Sequence, residues 1–499
     1  MNIQQLPYPA IIIFVPLLMS LLIPVFGWWK KKLCFPMLMT AISISLLASL
    51  KIAFTVVQNG PIRYYLGGWE PPWGIEFAID HLNAVMIVLV TFITFIVAIY
   101  SKKSIEKELP GKEVPFYSLF LLVLTSLSGM VLTGDMFNLY VFLEIAALSS
   151  YALISIGEER APYSAFKYLV LGTAGACFYL LGVGYLYIVT GSLNMADLAK
   201  LLPELYQSKV VLVAFAFFMV GLLIKIAFFP LHAWLPDAYT HAPSAVSSLI
   251  APLMTKVGAY VIIRVMFTVF TPEFSIGILP TATILSWLAA IAIVAGSLMA
   301  LAQKDFKRML TYIIVAEIGY IVLGIGMANK NGLTGAILHI VNDAFMMACL
   351  FFIIGAIYYK TGTRDVYQFR HLNKKMPYTM FAFIIVGLSV VGIPPTCGFF
   401  SKWYLLLGAI ELNQWMFAAA LLFSSLTSAV LFFRVVENAF LNPQTGHGHG
   451  NHEEEILRAE APMSMLVPIF VTVVGIMLIG PMSGKIITLF IQHAIPAGF

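Results

Sequence analysis

The stretch Gly221-Leu222-Leu223-Ile224-Lys225-Ile226-Ala227-Phe228-Phe229-Pro230-Leu231-His232-Ala233-Trp234-Leu235-Pro236-Asp237 sets a lysine inside an apolar run and a proline one helical turn later. Proline removes a backbone N–H and clashes with the preceding turn, so a helix entering this stretch breaks there. The apolar run reaching back to residue 209 has the length and character of a membrane span. A lysine in its middle must face protein or water and find a partner.

The rest of the chain is written in the same way. Apolar residues make up 60% of the 499 residues, charged residues 11%, and the mean hydropathy is +0.92. A soluble domain carries about 25% charged residues, and a chain this apolar lacks the polar surface to cover itself in water. Candidate spans fall near 8–28, 33–57, 79–100, 115–133, 136–156, 163–190, 209–229, 243–270, 278–302, 306–328, 333–359, 378–408, 414–438 and 463–491. The fold class expected is all-α: a polytopic membrane protein with about fourteen transmembrane helices, residues 1–499 forming a single membrane domain. The first run lacks a basic n-region and is followed by Lys30, Lys31 and Lys32; it reads as a retained span.

Basic residues gather in alternate loops. Side B, the face reached by the loop after the first span, collects Lys30, Lys31, Lys32, Lys102, Lys103, Lys107, Lys112, Arg160, Lys304, Lys307, Arg308, Lys360, Arg364, Arg370, Lys374, Lys375, Arg434 and Arg458. Side A, the opposite face, holds little more than Arg63, Lys200, Lys209 and Lys330. By the positive-inside rule side B is cytoplasmic. An even number of spans then places both termini outside a cell (inner) membrane. The basic residues form no single stripe, so nucleic acid is not an expected partner.

A second proline break, Gly392-Ile393-Pro394-Pro395, falls within 378–408. The run 115–270 holds five spans with the fourth broken, and 278–438 holds five with the fourth broken. Five is odd, so the second copy is expected to be inverted, and ion sites in inverted-repeat transporters sit where such broken helices meet.

The ionisable residues inside spans carry the functional argument. Glu144 sits in Leu143-Glu144-Ile145 with no charge nearby, Lys256 lies mid-span in Met254-Thr255-Lys256-Val257-Gly258, and Lys402 follows the second break in Phe400-Ser401-Lys402-Trp403. With Lys225 these are the principal candidates, because a charge at a helix centre carries a penalty of about 2.5–3.5 kcal/mol on insertion scales. Glu317, His339 and Asp343 are further polar stations, and His232 joins them just beyond the first break. His339 and Asp343 are four apart and share a helix face. Glu317 and Asp343 read equally as ion-path groups or as protonated, hydrogen-bonded structural carboxyls. Lys167, Arg264, Lys307 and Lys485 lie near span ends, where long side chains snorkel to the interface. A buried Glu–Lys pair is bistable, since burial and an opposite charge push each pKa in opposite directions. Such groups in a row suit proton relay rather than a channel filter.

Other chemistries lack a pattern. No Ser-His-Asp or Cys-His constellation stands out, and no Gly-rich phosphate loop or haem, flavin or iron–sulfur ligand motif is present, so no cofactor is expected. Cys34, Cys177, Cys349 and Cys397 lie in apolar stretches and read as buried thiols rather than disulfides or a metal site. The segment Gly446-His447-Gly448-His449-Gly450-Asn451-His452 reads as a solvated polar loop.

The run from Phe229-Pro230-Leu231-His232-Ala233-Trp234-Leu235-Pro236-Asp237-Ala238 through His241-Ala242-Pro243-Ser244-Ala245-Val246-Ser247-Ser248 and Lys256-Val257-Gly258-Ala259-Tyr260 to Arg264 resembles the signature of a known family. That family is the antiporter-like subunits shared by respiratory complex I, membrane-bound hydrogenases and Mrp-type cation/proton antiporters. Gly392-Ile393-Pro394-Pro395 with Gly398-Phe399 and Lys402 is similar to its second broken helix. The resemblance implies fourteen helices, two inverted five-helix repeats, and an ion path at Glu144, Lys225, Lys256 and Lys402. The Leu-Met-Thr-Lys-Val-Gly context looks most like the D-type subunits of Mrp antiporters. The family pattern is departed from at Asp343, where histidine is frequent, and at Met347, where lysine is. A carboxylate at 343 suits Na⁺, since hard cations take oxygen ligands. The function expected is thus a subunit of an Mrp-type Na⁺/proton antiporter, working with other membrane subunits in the bilayer. The alternative is the same module in a redox-driven complex. The buried lysines argue against a mere scaffold.

Overall fold

The computed structural model describes residues 7–440 and 459–496; the histidine loop at 446–452 lies outside them. Several helices begin where a polar cap precedes an apolar run. α1 (Tyr8–Trp29) and α2 (Cys34–Asn59) form a hairpin at the edge of the bundle. A two-stranded antiparallel sheet follows, β1 (Ile62–Tyr65) paired with β2 (Glu76–Ile79), Ile62 opposite Ile79. Its presence departs from an all-helical expectation. The Asp80 carboxylate then accepts from the Leu82 and Asn83 amides and starts α3 (His81–Glu108), satisfying donors that a helix start leaves free. α3 runs past the expected end at residue 100, carrying Lys102 to Glu108 as a polar extension.

α4 (Glu113–Leu132), α5 (Met136–Ser155) and α6 (Ala161–Thr190) come next, α5 capped by Asp135. α7 (Met195–Leu201) is a short helix that the sequence did not announce. α8 (Lys209–Lys225) stops at its lysine, and an irregular segment separates it from α9 (Trp234–His241) and α10 (Ser244–Arg264). α11 (Thr281–Leu301), α12 (Phe306–Gly326) and α13 (Lys330–Thr361) follow, then the single turn α14 (Leu372–Lys375). The second broken span is α15 (Pro377–Val391) and α16 (Cys397–Glu411), and α17 (Trp415–Phe440) and α18 (Met463–Ile486) complete the bundle.

Twelve of these helical stretches are long and apolar enough to cross a membrane. The expected segments 209–229 and 378–408 are not among the twelve; each is interrupted at its proline. α10, α12 and α13 are almost entirely enclosed by other helices, whereas α1, α2 and α6 show large apolar surfaces such as Leu21, Leu47 and Phe166. The bundle therefore has a central rank of helices shielded from lipid, and charge is tolerable only there.

Both breaks contain a cis X-Pro bond, Phe229-Pro230 and Pro394-Pro395. At the first, the carbonyl of Ile224 in the last turn of α8 accepts from the Ala227 amide at 3.1 Å and from the Trp234 indole N–H at 3.0 Å. At the second, Val390 O accepts from the Lys402 ammonium at 2.6 Å. Non-helical backbone at membrane depth is tolerated only when such groups are satisfied by protein or water.

Cys34, Cys349 and Cys397 are buried and unbridged as expected, but Cys177 is exposed on α6. It lies on the outer side of that long helix, whose neighbour Ala176 faces inward.

Candidate functional site

The breaks and the shielded helices bring the sequence candidates into contact. Lys225, the last residue of α8, reaches across to Glu144 on α5, Nζ to Oε1 at 3.1 Å, with the lysine side chain buried and the carboxylate partly so. The C-terminus of α8 ends at this lysine, a position where a cation also complements the helix dipole.

Lys256 on α10 is fully enclosed. Its ammonium lies 2.7 Å from Asp343 Oδ2 on α13 and donates to Ala251 O at 3.2 Å. Asp343 Oδ1, the oxygen turned away from Lys256, has no hydrogen-bond partner among the described residues. One helical turn back on α13, His339 Nε2 meets Glu317 Oε2 of α12 at 2.5 Å, while His339 Nδ1 meets Ser401 Oγ at 2.9 Å. Ser401 precedes Lys402 on α16. The Lys402 ammonium sits 4.7 Å from the centre of the Tyr320 ring, and that ring meets His339 edge-on at 5.3 Å. Asn342 donates to Cys397 O at 2.7 Å and ties α13 to the start of α16.

The arrangement is a pair, Glu144 with Lys225, and a set gathered around α13, Lys256 with Asp343, His339 with Glu317, and Lys402 beside Tyr320. Each carboxylate is held against a nitrogen of another helix, which offsets the loss of hydration that burial imposes. His232 is different. It is buried, stacks on Phe229 at 5.2 Å and meets Tyr312 edge-on, and among the described residues it forms no ion pair with Glu144, Glu317 or Asp343. Asp343 is also not a free oxygen ligand awaiting a cation, since Lys256 neutralises it. Among the described residues no cluster of three or more His, Cys, Asp or Glu is arranged to hold a metal.

Two of the four residues read as snorkelling at span ends are held by protein groups instead. Lys307 is buried, its ammonium donating to Ala242 O at 2.5 Å. Arg264 is largely buried and bonds Asp80 at 2.5 Å, with Asn83 and Tyr260 also in reach. Distance from a span's end does not reveal a polar partner on another helix, and these have one. Lys167 pairs with Asp237 at 2.8 Å while remaining partly exposed, and Lys485 is exposed, as snorkelling residues are. Ser401, Tyr320 and Trp234 escaped notice because hydroxyls and aromatic rings are common in apolar spans.

Polar space lies at both ends of α10. Towards side B a cavity of about 340 Å³ is lined by Glu108, His241, Ser244, Lys307 and Arg364. Glu108 there accepts from the Ser244 amide at 2.8 Å. Towards side A a cavity of about 270 Å³ is lined by Arg63, Glu76, Asp80, Asn83, Tyr260 and Arg264.

A helical bundle that buries two lysine–carboxylate pairs, a histidine–glutamate contact and a further lysine on facing helices, two of the spans broken beside a lysine, defines a polytopic membrane protein of the antiporter-like class. Residues 133–428 match the family model described as "NADH:quinone oxidoreductase/Mrp antiporter, TM", and residues 71–108 match "NADH-Ubiquinone oxidoreductase (complex I), chain 5 N-terminus". The chain belongs to this family of antiporter-like membrane subunits. It is 49% identical over 466 residues to the N-type subunit of NADH-quinone oxidoreductase of Desulforudis audaxviator, covering 91% of this chain and 92% of that one. It is 35% identical over 402 residues to the D-type subunit of the Na(+)/H(+) antiporter of Alkalihalophilus pseudofirmus, covering 80% of each. A chain of the membrane-bound sulfane sulfur reductase, an archaeal respiratory membrane complex, superposes with TM-score 0.89 at 31% identity, covering 97% of this chain and 96% of that one. Each of these relatives is named as a subunit or chain of a membrane complex.

Proposed function

We propose that the chain carries protons through the membrane along the row Glu144–Lys225, Lys256–Asp343, His339–Glu317 and Lys402. The observation that supports it is the set of buried acid–base contacts between facing helices, Glu144–Lys225, Lys256–Asp343 and His339–Glu317. A closed pair keeps its lysine protonated, because the carboxylate stabilises the ammonium; an opened pair leaves a desolvated lysine that gives its proton up. The broken helices place irregular backbone beside Lys225 and Lys402, where backbone groups can hold water. The side-B cavity, with Glu108 and Lys307 at its wall, is the entry in this reading. Residues 115–270 and 278–438 act as two inverted five-helix units, one for each half of the row. The chain lies in the cell membrane with side B cytoplasmic and both termini outside.

The partner complex is read as an Mrp-type antiporter that exchanges Na⁺ for protons. The support is the match to the D-type Na(+)/H(+) antiporter subunit along 80% of the chain. A second reading places the same row in a redox-driven respiratory complex, and the higher identity to the N-type subunit of NADH-quinone oxidoreductase favours it. Purifying the tagged chain with its native partners separates the two. Iron–sulfur proteins in the preparation and proton uptake driven by an electron donor select the redox complex. A ΔpH that collapses on adding Na⁺ to vesicles, with no electron donor, selects the antiporter. Activity by neither route rejects proton translocation.

A further inference from the structure

The side-A cavity is the part of the molecule that the relay does not use. It sits over the relay by simple helix geometry. Leu139 and Val261 line it. Each is five residues along its helix from a relay group, Leu139 from Glu144 on α5 and Val261 from Lys256 on α10, a separation of about 7 Å along the axis. An unguarded cavity in this place would let outside cations approach two relay groups through little more than one turn of protein.

What stands in it is an ion pair with its positive member deeper, the Arg264 side chain being 13% exposed and that of Asp80 36%. The Arg264 guanidinium bonds Asp80 at 2.5 Å, the Asn83 side-chain oxygen, and the Tyr260 hydroxyl at 3.0 Å. Tyr260 is itself anchored to Val131 O at 2.9 Å, and Asn83 donates to the Tyr260 hydroxyl at 2.9 Å. The network therefore ties α3, α4 and α10 together across the cavity. Guanidinium keeps its proton in proteins, so this charge does not titrate away. An arginine in a constriction is an electrostatic barrier to protons and cations. Glu76, by contrast, is held at the cavity wall by Arg63 at 3.2 Å and by Asn194 at 2.8 Å, and Arg63 is well exposed. The acids of the cavity are thus each answered by an arginine, and the inner of the two arginines lies on the helix that carries Lys256.

We propose that Arg264, held by Asp80, Asn83 and Tyr260, is an electrostatic gate that closes the side-A cavity to cations above the Glu144, Lys225 and Lys256 segment. The inference rests on the relay reading, because a gate has meaning only if a path lies beneath it. The barrier comes from the charge, and the hydrogen bonds hold it in place.

The test uses the assembled native complex in sealed vesicles and reads passive leak, with no driving reaction, from the decay of an imposed pH gradient and the release of radiolabelled Na⁺. Arg264→Gln keeps hydrogen bonding, removes the inner charge and leaves the Asp80 carboxylate unopposed; its leak should rise by at least about tenfold, since a change of one unit of charge a few ångströms away shifts a cation's barrier by more than a decade at protein dielectric. Arg264→Lys should stay near the wild-type leak. The double variant D80R/R264D keeps the ion pair but puts a carboxylate at the inner position, and it should leak as Arg264→Gln does. An assembled Arg264→Gln complex as tight as wild type overturns the gate. So does a tight D80R/R264D complex, which would reduce Arg264 to one half of a structural pair, and so does failure of all three variants to assemble. Driven transport by the wild-type complex is measured alongside. Its absence rejects the relay reading, whereas driven transport in wild type without leak in the variants rejects the gate alone.

Discussion

Lys256 Nζ lies 2.7 Å from Asp343 Oδ2, with both side chains fully shielded. The pair joins α10 to α13, two helices that are almost wholly internal. Breaking such a pair by removing one member leaves an uncompensated buried charge, at about 3–5 kcal/mol. Asp343→Asn should therefore lower both the yield of assembled complex and its transport. Replacing the pair with well-packed apolar residues is often neutral for stability. K256M/D343L should recover assembly towards wild type yet remain inactive. Native gels and vesicle ΔpH measure the two properties separately. Substantial transport by the double variant would remove the pair from the ion path.

The second break depends on one glycine. Gly392 has φ +94°, and a Cβ there would meet Lys402 Cδ at 3.2 Å. Left-handed backbone disfavours residues with a Cβ by about 1–2 kcal/mol. The added methyl also presses on the side chain that caps Val390 O. Gly392→Ala should lower the thermal unfolding temperature of the complex and reduce transport, while Gly191→Ala, at a helix end with open space around it, should affect stability alone. Equal transport in the two variants would show that Lys402 tolerates the displacement.

Much of this was legible locally. Pro230 and Pro394 announce breaks in apolar runs, and a lysine or glutamate in the middle of a span announces a partner. The partners themselves were not legible, because nothing near Lys256 names Asp343, which lies three helices on. The helix Trp234–His241 was hidden by Pro236, which reads as a breaker but sits in the first turn, where its missing N–H is not needed. Arg264 and Lys307 were placed at the interface from their distance to a span end. Asp80 and Ala242 O, the groups that hold them, come from other segments of the chain.

The asymmetry of loop charge predicts orientation. Lys31 is exposed in the side-B loop after α1, and Trp73 is exposed in the side-A loop between the strands. In a Cys177→Ser background, which removes the exposed native thiol, Trp73→Cys should react with an impermeant thiol reagent in intact cells. Lys31→Cys should react only after permeabilisation. The reverse pattern would invert the chain in its membrane.

The Glu144–Lys225 pair carries the most direct test of proton release. Glu144 on α5 and Lys225 at the end of α8 meet at 3.1 Å, and the lysine is the more deeply buried of the two. While the pair is closed, the ammonium is stabilised. When the carboxylate moves away, desolvation favours the neutral amine, and its proton passes on towards Lys256. Lys225→Ala should abolish transport while the complex still assembles. Glu144→Gln keeps the size and hydrogen bonding of the side chain but removes the charge that holds the proton, so it should fail as well. Lys225→Arg is the discriminating variant. It preserves the charge, the pairing and most of the volume, so assembly should be close to wild type. Guanidinium does not release its proton in proteins, so transport should fall to near the level of Lys225→Ala. The measurement is driven ΔpH in vesicles matched for assembled complex. Near-normal transport in Lys225→Arg would show that this site acts as a fixed charge, with no deprotonation step at residue 225.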